Sequence, residues 1–247
     1  MKAVSRGTLL DGRVVYDQFL TGYRTGIEPV LLAASVPARP GERVLEAGTG
    51  AGAGLLCLAA RVAGVVGIGV EQDADLAALG QANAAANGFG AVSIAAGDVL
   101  AMESGSPVDH AMANPPWHPA GGTRSEDGLR DSAKRGRPGL VHDWTAALAA
   151  RLRHRGTLTL IVPARATTEA LAALAAAQCG SQALLPLWPG VGREARIVLV
   201  QAIRDGRAGC RVLPGLMLHG EDGAFTPAAE AILRGGAALP FESGPVA

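Results

Sequence analysis

Asn114-Pro115-Pro116-Trp117 is the stretch of this chain best equipped for chemistry. Two prolines stiffen the backbone and remove two amide donors. The side-chain oxygen of Asn114 and the carbonyl of Pro115 are then fixed acceptors. A planar amine donates two hydrogens. Two acceptors holding both favour a more pyramidal nitrogen, whose lone pair can attack a methyl group. Trp117 offers a flat face on which a flat substrate stacks. Three acids accompany this corner. Glu46 precedes the turn Ala47-Gly48-Thr49-Gly50-Ala51-Gly52, Glu71 ends the next apolar run, and Asp98 follows Gly97. A carboxylate such as Glu71 accepts from both hydroxyls of a ribose diol. Asp98 lies where a side chain meets an adenine amine, and Glu46 suits a cationic or amine-bearing ligand.

The elements that must position these groups alternate between strand and helix. Arg43 to Ala47 reads as a buried strand, and the glycines after it give a tight turn that lets a ligand approach the backbone. Ala53 to Arg61 or Val62 reads as a helix whose first amides face that turn. Val65 to Val70 is a second strand, a continuous apolar run as expected when both faces are covered. Asp73 to Asn87 is a helix that Gly88 ends. Ala91 to Ala95 and Val108 to Ala113 are the next strands, so each acid and Asn114 fall at or just beyond a strand's carboxyl end. Ligands of open α/β sheets bind there.

Periodicity is lost from His118 to Gly139, a length that usually marks a functional or mobile loop. His142 to Leu152 is helical, Thr157 to Val162 a fifth strand, and Thr167 to Ala177 another helix. Leu184 to Leu187 and Ile197 to Ala202 are joined too closely for a parallel crossover, so an antiparallel hairpin is expected. Thr226-Pro227 starts a last helix to Arg234. At the other end, residues 1 to about 24 read as irregular or short-stranded. Glu28-Pro29 opens a helix, with proline and an acid both suited to its first turn. The expectation is a doubly wound α/β fold with a seven-stranded, mostly parallel sheet and an antiparallel hairpin at one edge. Residues 1–247 read as one domain, with 1–40 as a cap segment leading into the ligand site.

Composition narrows the function. Of 247 residues, 49% are hydrophobic, which excludes wholesale disorder. Lys plus Arg (22) balance Asp plus Glu (22), so any nucleic-acid contact must come from a local patch. One candidate is the long loop, where Arg124, Arg130, Lys134, Arg135 and Arg137 face Glu126, Asp127 and Asp131. Arg151, Arg153, His154 and Arg155 form a second basic group, read as cations at a helix C-terminus. Cys57, Cys179 and Cys210 lack zinc-type spacing and read as reduced thiols, so no metal is expected. The apolar stretch Ala51 to Val70 contains Arg61 and reads as a helix followed by a strand, not a membrane span. With no signal peptide legible, a cytoplasmic location is expected.

The chain resembles the Asn-Pro-Pro-(Tyr/Phe/Trp) class of S-adenosylmethionine-dependent methyltransferases. More narrowly, it resembles the bacterial tRNA1(Val) adenine-37 N6-methyltransferase family. The resemblance spans roughly residues 10 to 240. It rests on Gly22-Tyr23-Arg24-Thr25-Gly26-Ile27-Glu28-Pro29-Val30-Leu31-Leu32, Glu46 to Gly50, Asn114 to Trp117, and Leu218-His219-Gly220-Glu221-Asp222-Gly223-Ala224-Phe225-Thr226-Pro227. It implies a class I methyltransferase fold and S-adenosylmethionine as cofactor. Glu46, Gly48 and Gly50 would contact its methionine end, Glu71 its ribose and Asp98 its adenine, with Arg24, Gly26, Glu28 and Asn114 also in the cofactor site. Catalysis would fall to Asn114, Pro115 and Pro116, with Trp117 on the target base and RNA, in particular tRNA, as partner. The family commonly has Asp where this chain has Glu28 and Glu46, and often Tyr or Phe at Trp117.

Other readings stay open from the sequence. Methylation of guanine N2 in rRNA, or of a protein glutamine amide, would use the same corner. An NAD-dependent oxidoreductase would need Gly-x-Gly-x-x-Gly, and here position 53 is Ala. A non-catalytic nucleotide-binding module would have no use for Asn114. The oligomeric state is open, with a monomer among the choices.

Overall fold

A computed structural model describes residues 2–22, 24–102, 105–116 and 139–241. Two strands, β1 (Val4–Leu9) and β2 (Val14–Phe19), form an antiparallel hairpin, the short-stranded alternative of the two the sequence left open. Then come α1 (Glu28–Ser35), β3 (Arg43–Ala47), α2 (Ala53–Arg61), β4 (Val66–Glu71), α3 (Ala74–Ala86), β5 (Val92–Ala96) and β6 (Val108–Ala113). After residue 138 follow α4 (Leu140–Arg151), β7 (Leu152–Pro163), α5 (Thr167–Ala176), β8 (Cys179–Trp188), β9 (Ile197–Arg204), β10 (Arg211–Val212), β11 (Leu216–Met217) and α6 (Pro227–Leu233).

The main sheet runs β10-β8-β9-β7-β6-β3-β4-β5, with β11 also on β8. Strands β3 to β9 are the expected seven, and β10 and β11 add two-residue extensions to the β8 edge. Only β9 runs against its neighbours, pairing antiparallel with both β7 and β8. From β3 the chain steps outward through β4 to β5, then returns to pair β6 on the other side of β3. That reversal makes the carboxyl ends of β3 and β6 the topological switch point, where a crevice must open.

Strand alternation divides the core into two layers. Val44, Ile161 and Leu199 face α1, α2, α3 and α6, whereas Leu45, Leu158, Leu160, Val198 and Val200 face α4 and α5. Leu55, Leu56 and Leu58 of α2 are buried. Each such side chain contributes about 1.5–3 kcal/mol relative to exposure. Glu46 lies one residue beyond Leu45, so it points into the α2 layer.

The sequence boundary between α4 and β7 needs correcting. The helix ends at Arg151 and the strand begins at once, at Leu152. Pairing with β6 jumps from Val108↔Leu152 to His110↔Thr157, and the surplus residues of β7 bulge out. Arg155 sits in that bulge at φ 64°. Arg153, His154 and Arg155 are therefore on a bulged strand, not at a helix C-terminus.

The hairpin is held to α3 by two amides. Asn87 Oδ1 accepts from Val15 N at 2.8 Å and its Nδ2 donates to Val15 O at 2.7 Å. Asn83 repeats the pattern on Asp17, accepting at 3.0 Å and donating at 2.9 Å. Four helical residues rise about 6 Å and two strand residues about 6.6 Å, so the two asparagines stand in for a neighbouring strand. Asn83 Nδ2 also donates to Ala51 O at 3.0 Å, tying the hairpin to the glycine turn.

Candidate active site

A cavity of about 890 Å³ opens at the switch point. Its walls include Glu46, Gly48, Gly50, Glu71, Asp98, Asn114, Pro115 and Pro116, together with Glu28 from α1. Residues distant in the chain thus meet in one crevice, as the strand-end argument required. The hairpin closes one side through Tyr16, Gln18 and Phe19. Arg24 and Gly26 do not line it. Arg24 is exposed, while the neighbouring Gly22 and Thr25 reach the wall. A Cβ on Gly26 would run into the Glu28 carboxylate, so Gly26 gives that side chain its room.

Glu46 is only 4% exposed. Its Oε2 accepts from Thr49 Oγ1 at 2.5 Å and from Leu55 N at 3.2 Å. Burial pushes its carboxyl up to about 7, with those two donors pulling the other way and Glu71 adding a small upward push. A Cβ on Gly54 would collide with this carboxylate, so the helix can approach Glu46 only because residue 54 has no side chain.

The amides of the turn are largely spent within the protein. Gly48 N donates to Val70 O at 2.8 Å, and Gly50 N to Glu71 Oε2 at 2.8 Å. The amides of Gly48 and Gly50 are therefore committed within the protein, and Gly50 leaves open space where a Cβ would stand. Glu71 is held from behind, since its Oε1 accepts from Asp73 N at 3.0 Å. Each carboxylate oxygen keeps a lone pair for a second donor, the arrangement a diol needs. Asp98 is exposed and uses Oδ1 to accept from Leu100 N at 2.9 Å.

Asn114 is half-buried at the end of β6, and no described group hydrogen-bonds its side chain. Pro115 after it is buried. Sequence reasoning missed Trp144. It lies on α4 one turn after Leu140, and both line the cavity. A Cβ on Gly48, whose φ is 64°, would come within 2.7 Å of the Trp144 ring. The spacing of Leu140 and Trp144 was the available signal, because positions four apart share a helix face. Trp117, Arg124, Arg130, Lys134, Arg135 and Arg137 lie outside the described residues.

A family model described as the methyltransferase small domain matches residues 28–173. That span includes every acid of the cavity and Asn114. The chain is 29% identical over 209 residues to a tRNA1(Val) (adenine(37)-N6)-methyltransferase of Aeromonas hydrophila, covering 82% of this chain and 85% of that one. Among solved structures it is similar to a predicted O-methyltransferase, Atu636, of Agrobacterium tumefaciens. The TM-score is 0.71 at 25% identity, over 86% of this chain and 98% of the other. The 16S rRNA N2 G1207 methyltransferase (RsmC) of T. thermophilus, solved with AdoMet and guanosine, shares the fold. Its TM-score is 0.56 at 20% identity, over 82% of this chain and 50% of that one.

Proposed function

Because the chain belongs to the methyltransferase small domain family, we propose that it transfers the methyl group of S-adenosylmethionine to the N6 amine of an adenine in tRNA. The observation that carries the acceptor chemistry is Asn114. Its unengaged side chain stands at the carboxyl end of β6, beside buried Pro115, on the wall of the cavity that also holds Glu71 and Asp98. An amide in such a place can accept from a planar amine.

In this reading the cofactor lies across the ends of β3, β4 and β5. Glu71 holds the ribose diol with its two remaining lone pairs. Asp98 keeps Oδ2 for the adenine amine, and the methionine end sits over Gly48 and Gly50 above Glu46. Glu28 and Trp144 close that end. The sulfonium supplies its own leaving group, so the chain's task is to hold the amine in line and to polarise it. Asn114 Oδ1 and the Pro115 carbonyl accept its two hydrogens, and Trp117 stacks on the base. A base in folded RNA must be splayed out to reach them.

The curated relative from Aeromonas hydrophila supports adenine N6 in tRNA as the acceptor. A hydroxyl acceptor, as the description of Atu636 has it, carries one hydrogen and leaves one of the two acceptors idle. The test is transfer of labelled methyl from S-adenosylmethionine to total RNA and, separately, to total protein. Label in RNA, recovered as N6-methyladenosine, is expected. Label in protein, or in guanosine, would redirect the acceptor assignment.

A further inference from the structure

Three arginines fall in two turns next to the cavity, though none of them lines it. Arg165 lies in the turn Ala164–Ala166 that leaves β7, and Arg193 and Arg196 lie in the turn between β8 and β9. The two turns are bound together, since Ala164 N donates to Arg196 O at 2.9 Å and Pro163 pairs with Ile197. Pro163 and Ile197 both line the cavity, so Arg165 and Arg196 flank its wall by one or two residues. All three side chains are exposed. Among the described residues, none of these three side chains makes an ion pair or hydrogen bond, although Glu169 and Glu194 are on the same segments.

The amino ends of the central strands, opposite the cavity, make a partial contrast. There Arg153 pairs with Asp109 and reaches Glu42 at 3.7 Å, and His154 meets Asp205 at 2.9 Å. Arg153 is thus paired within the fold, whereas Arg155 beside it is exposed and makes no ion pair or side-chain hydrogen bond among the described residues. The arginines beside the cavity are left unpaired, where a polyanion entering the site would pass.

We propose that Arg165, Arg193 and Arg196 form a phosphate-binding lip, seating the RNA backbone while one base is turned into the cavity. The proposal rests on the RNA reading above. Guanidinium forks match phosphate oxygens in pairs. An unpaired surface arginine keeps its full donor set for that purpose. A base extruded toward Asn114 leaves its flanking phosphates at the mouth, and this lip borders the mouth on the β7–β9 side.

The test compares the wild-type protein with the triple variants Arg165→Ala/Arg193→Ala/Arg196→Ala and Arg165→Lys/Arg193→Lys/Arg196→Lys. Binding of tRNA transcripts is measured from about 50 to 200 mM salt. Each lost phosphate contact removes about 0.7–0.9 from the slope of log affinity against log salt. The alanine variant should therefore flatten the slope by about 2.1 to 2.7, so that its deficit shrinks roughly 20- to 40-fold across that range. Its KM for RNA should rise with kcat largely kept, its affinity for S-adenosylmethionine should stay at the wild-type value, and the lysine variant should recover most of the slope.

An alanine variant with wild-type affinity and slope, against a wild type that methylates RNA, would overturn the lip alone. A wild type that labels no RNA would overturn the RNA reading and the lip with it. Loss of labelling in a protein substrate, rather than in RNA, would assign the surface to a polypeptide and overturn the phosphate proposal.

Discussion

Glu46 makes the fold's stability depend on pH in a direction opposite to that of most carboxylates. Its carboxyl has an ordinary value of 4.5 and is pushed to about 7 by burial. Below pH 4.5 the group is protonated both folded and unfolded and contributes no pH dependence. Between 4.5 and about 7 the unfolded chain ionises while the folded one keeps its proton, so stability falls as pH rises, at about 1.36 kcal/mol per pH unit. Over that interval the loss reaches ~3 kcal/mol, and above it stays constant. Glu46→Gln keeps an oxygen to accept from Thr49 and Leu55 and carries no charge at any pH. Urea unfolding of both proteins at pH 5, 6, 7 and 8 is the assay. The variant should gain steadily on the wild type, ending ~3 kcal/mol more stable at pH 8 than their relation at pH 4.5 implies. A cationic ligand over the carboxylate should also expel its proton. Calorimetry of S-adenosylmethionine binding near pH 6.5, in buffers of different ionisation enthalpy, should then register proton release that Glu46→Gln lacks. Parallel stability curves for the two proteins from pH 5 to 8 would refute the reasoning.

Three further outcomes follow from the same geometry. Gly54→Ala drives a methyl group into the Glu46 carboxylate and should cost about 1–3 kcal/mol of stability, as overpacking does; chemical denaturation reads it directly, and an unchanged midpoint would contradict it. Asn83→Leu strands the carbonyls of Asp17 and Ala51 and the amide of Asp17, so roughly 1–3 kcal/mol per buried group is at stake. Hydrogen exchange should then show β1 and β2 losing protection before the main sheet does. Glu71→Ala should abolish measurable S-adenosylmethionine binding in calorimetry, because it removes the ribose acceptor and also the anchor of Gly50 N; retained affinity would show that the ribose lies elsewhere.

The central strands were legible because their chemistry is local. Val44-Leu45 and Ala111-Met112-Ala113 are apolar and are cut off by a glycine turn and by Asn-Pro-Pro, so β3 and β6 appear where the pattern puts them. The strand-end position of Glu46, Glu71, Asp98 and Asn114 followed from the same punctuation. What escaped was set by contacts distant in the chain. Asn83 and Asn87 fell in a segment read only as a helix, and only the packed hairpin shows that they replace a strand. Trp144 fell within a segment read only as helical, since nothing local says that Gly48 lies against its ring. The boundary at Leu152 was invisible because a bulge, not a loop, separates helix from strand. The unpaired state of Arg165, Arg193 and Arg196 could not be read either, because pairing is a property of the fold.

The most direct test of the account is methyl transfer by Asn114→Ala. Wild type and variant would be compared in single-turnover reactions on tRNA, with labelled S-adenosylmethionine, nucleoside analysis of the product, and cofactor affinity measured in parallel. Loss of one preorganised acceptor should cost about 2.7–4 kcal/mol of barrier, roughly a hundred- to thousand-fold in rate. Cofactor affinity should remain near wild type, because Glu71 and Asp98 are untouched. The account predicts N6-methyladenosine from the wild type and that loss in the variant. Formation of the same product by Asn114→Ala at the wild-type rate would contradict it.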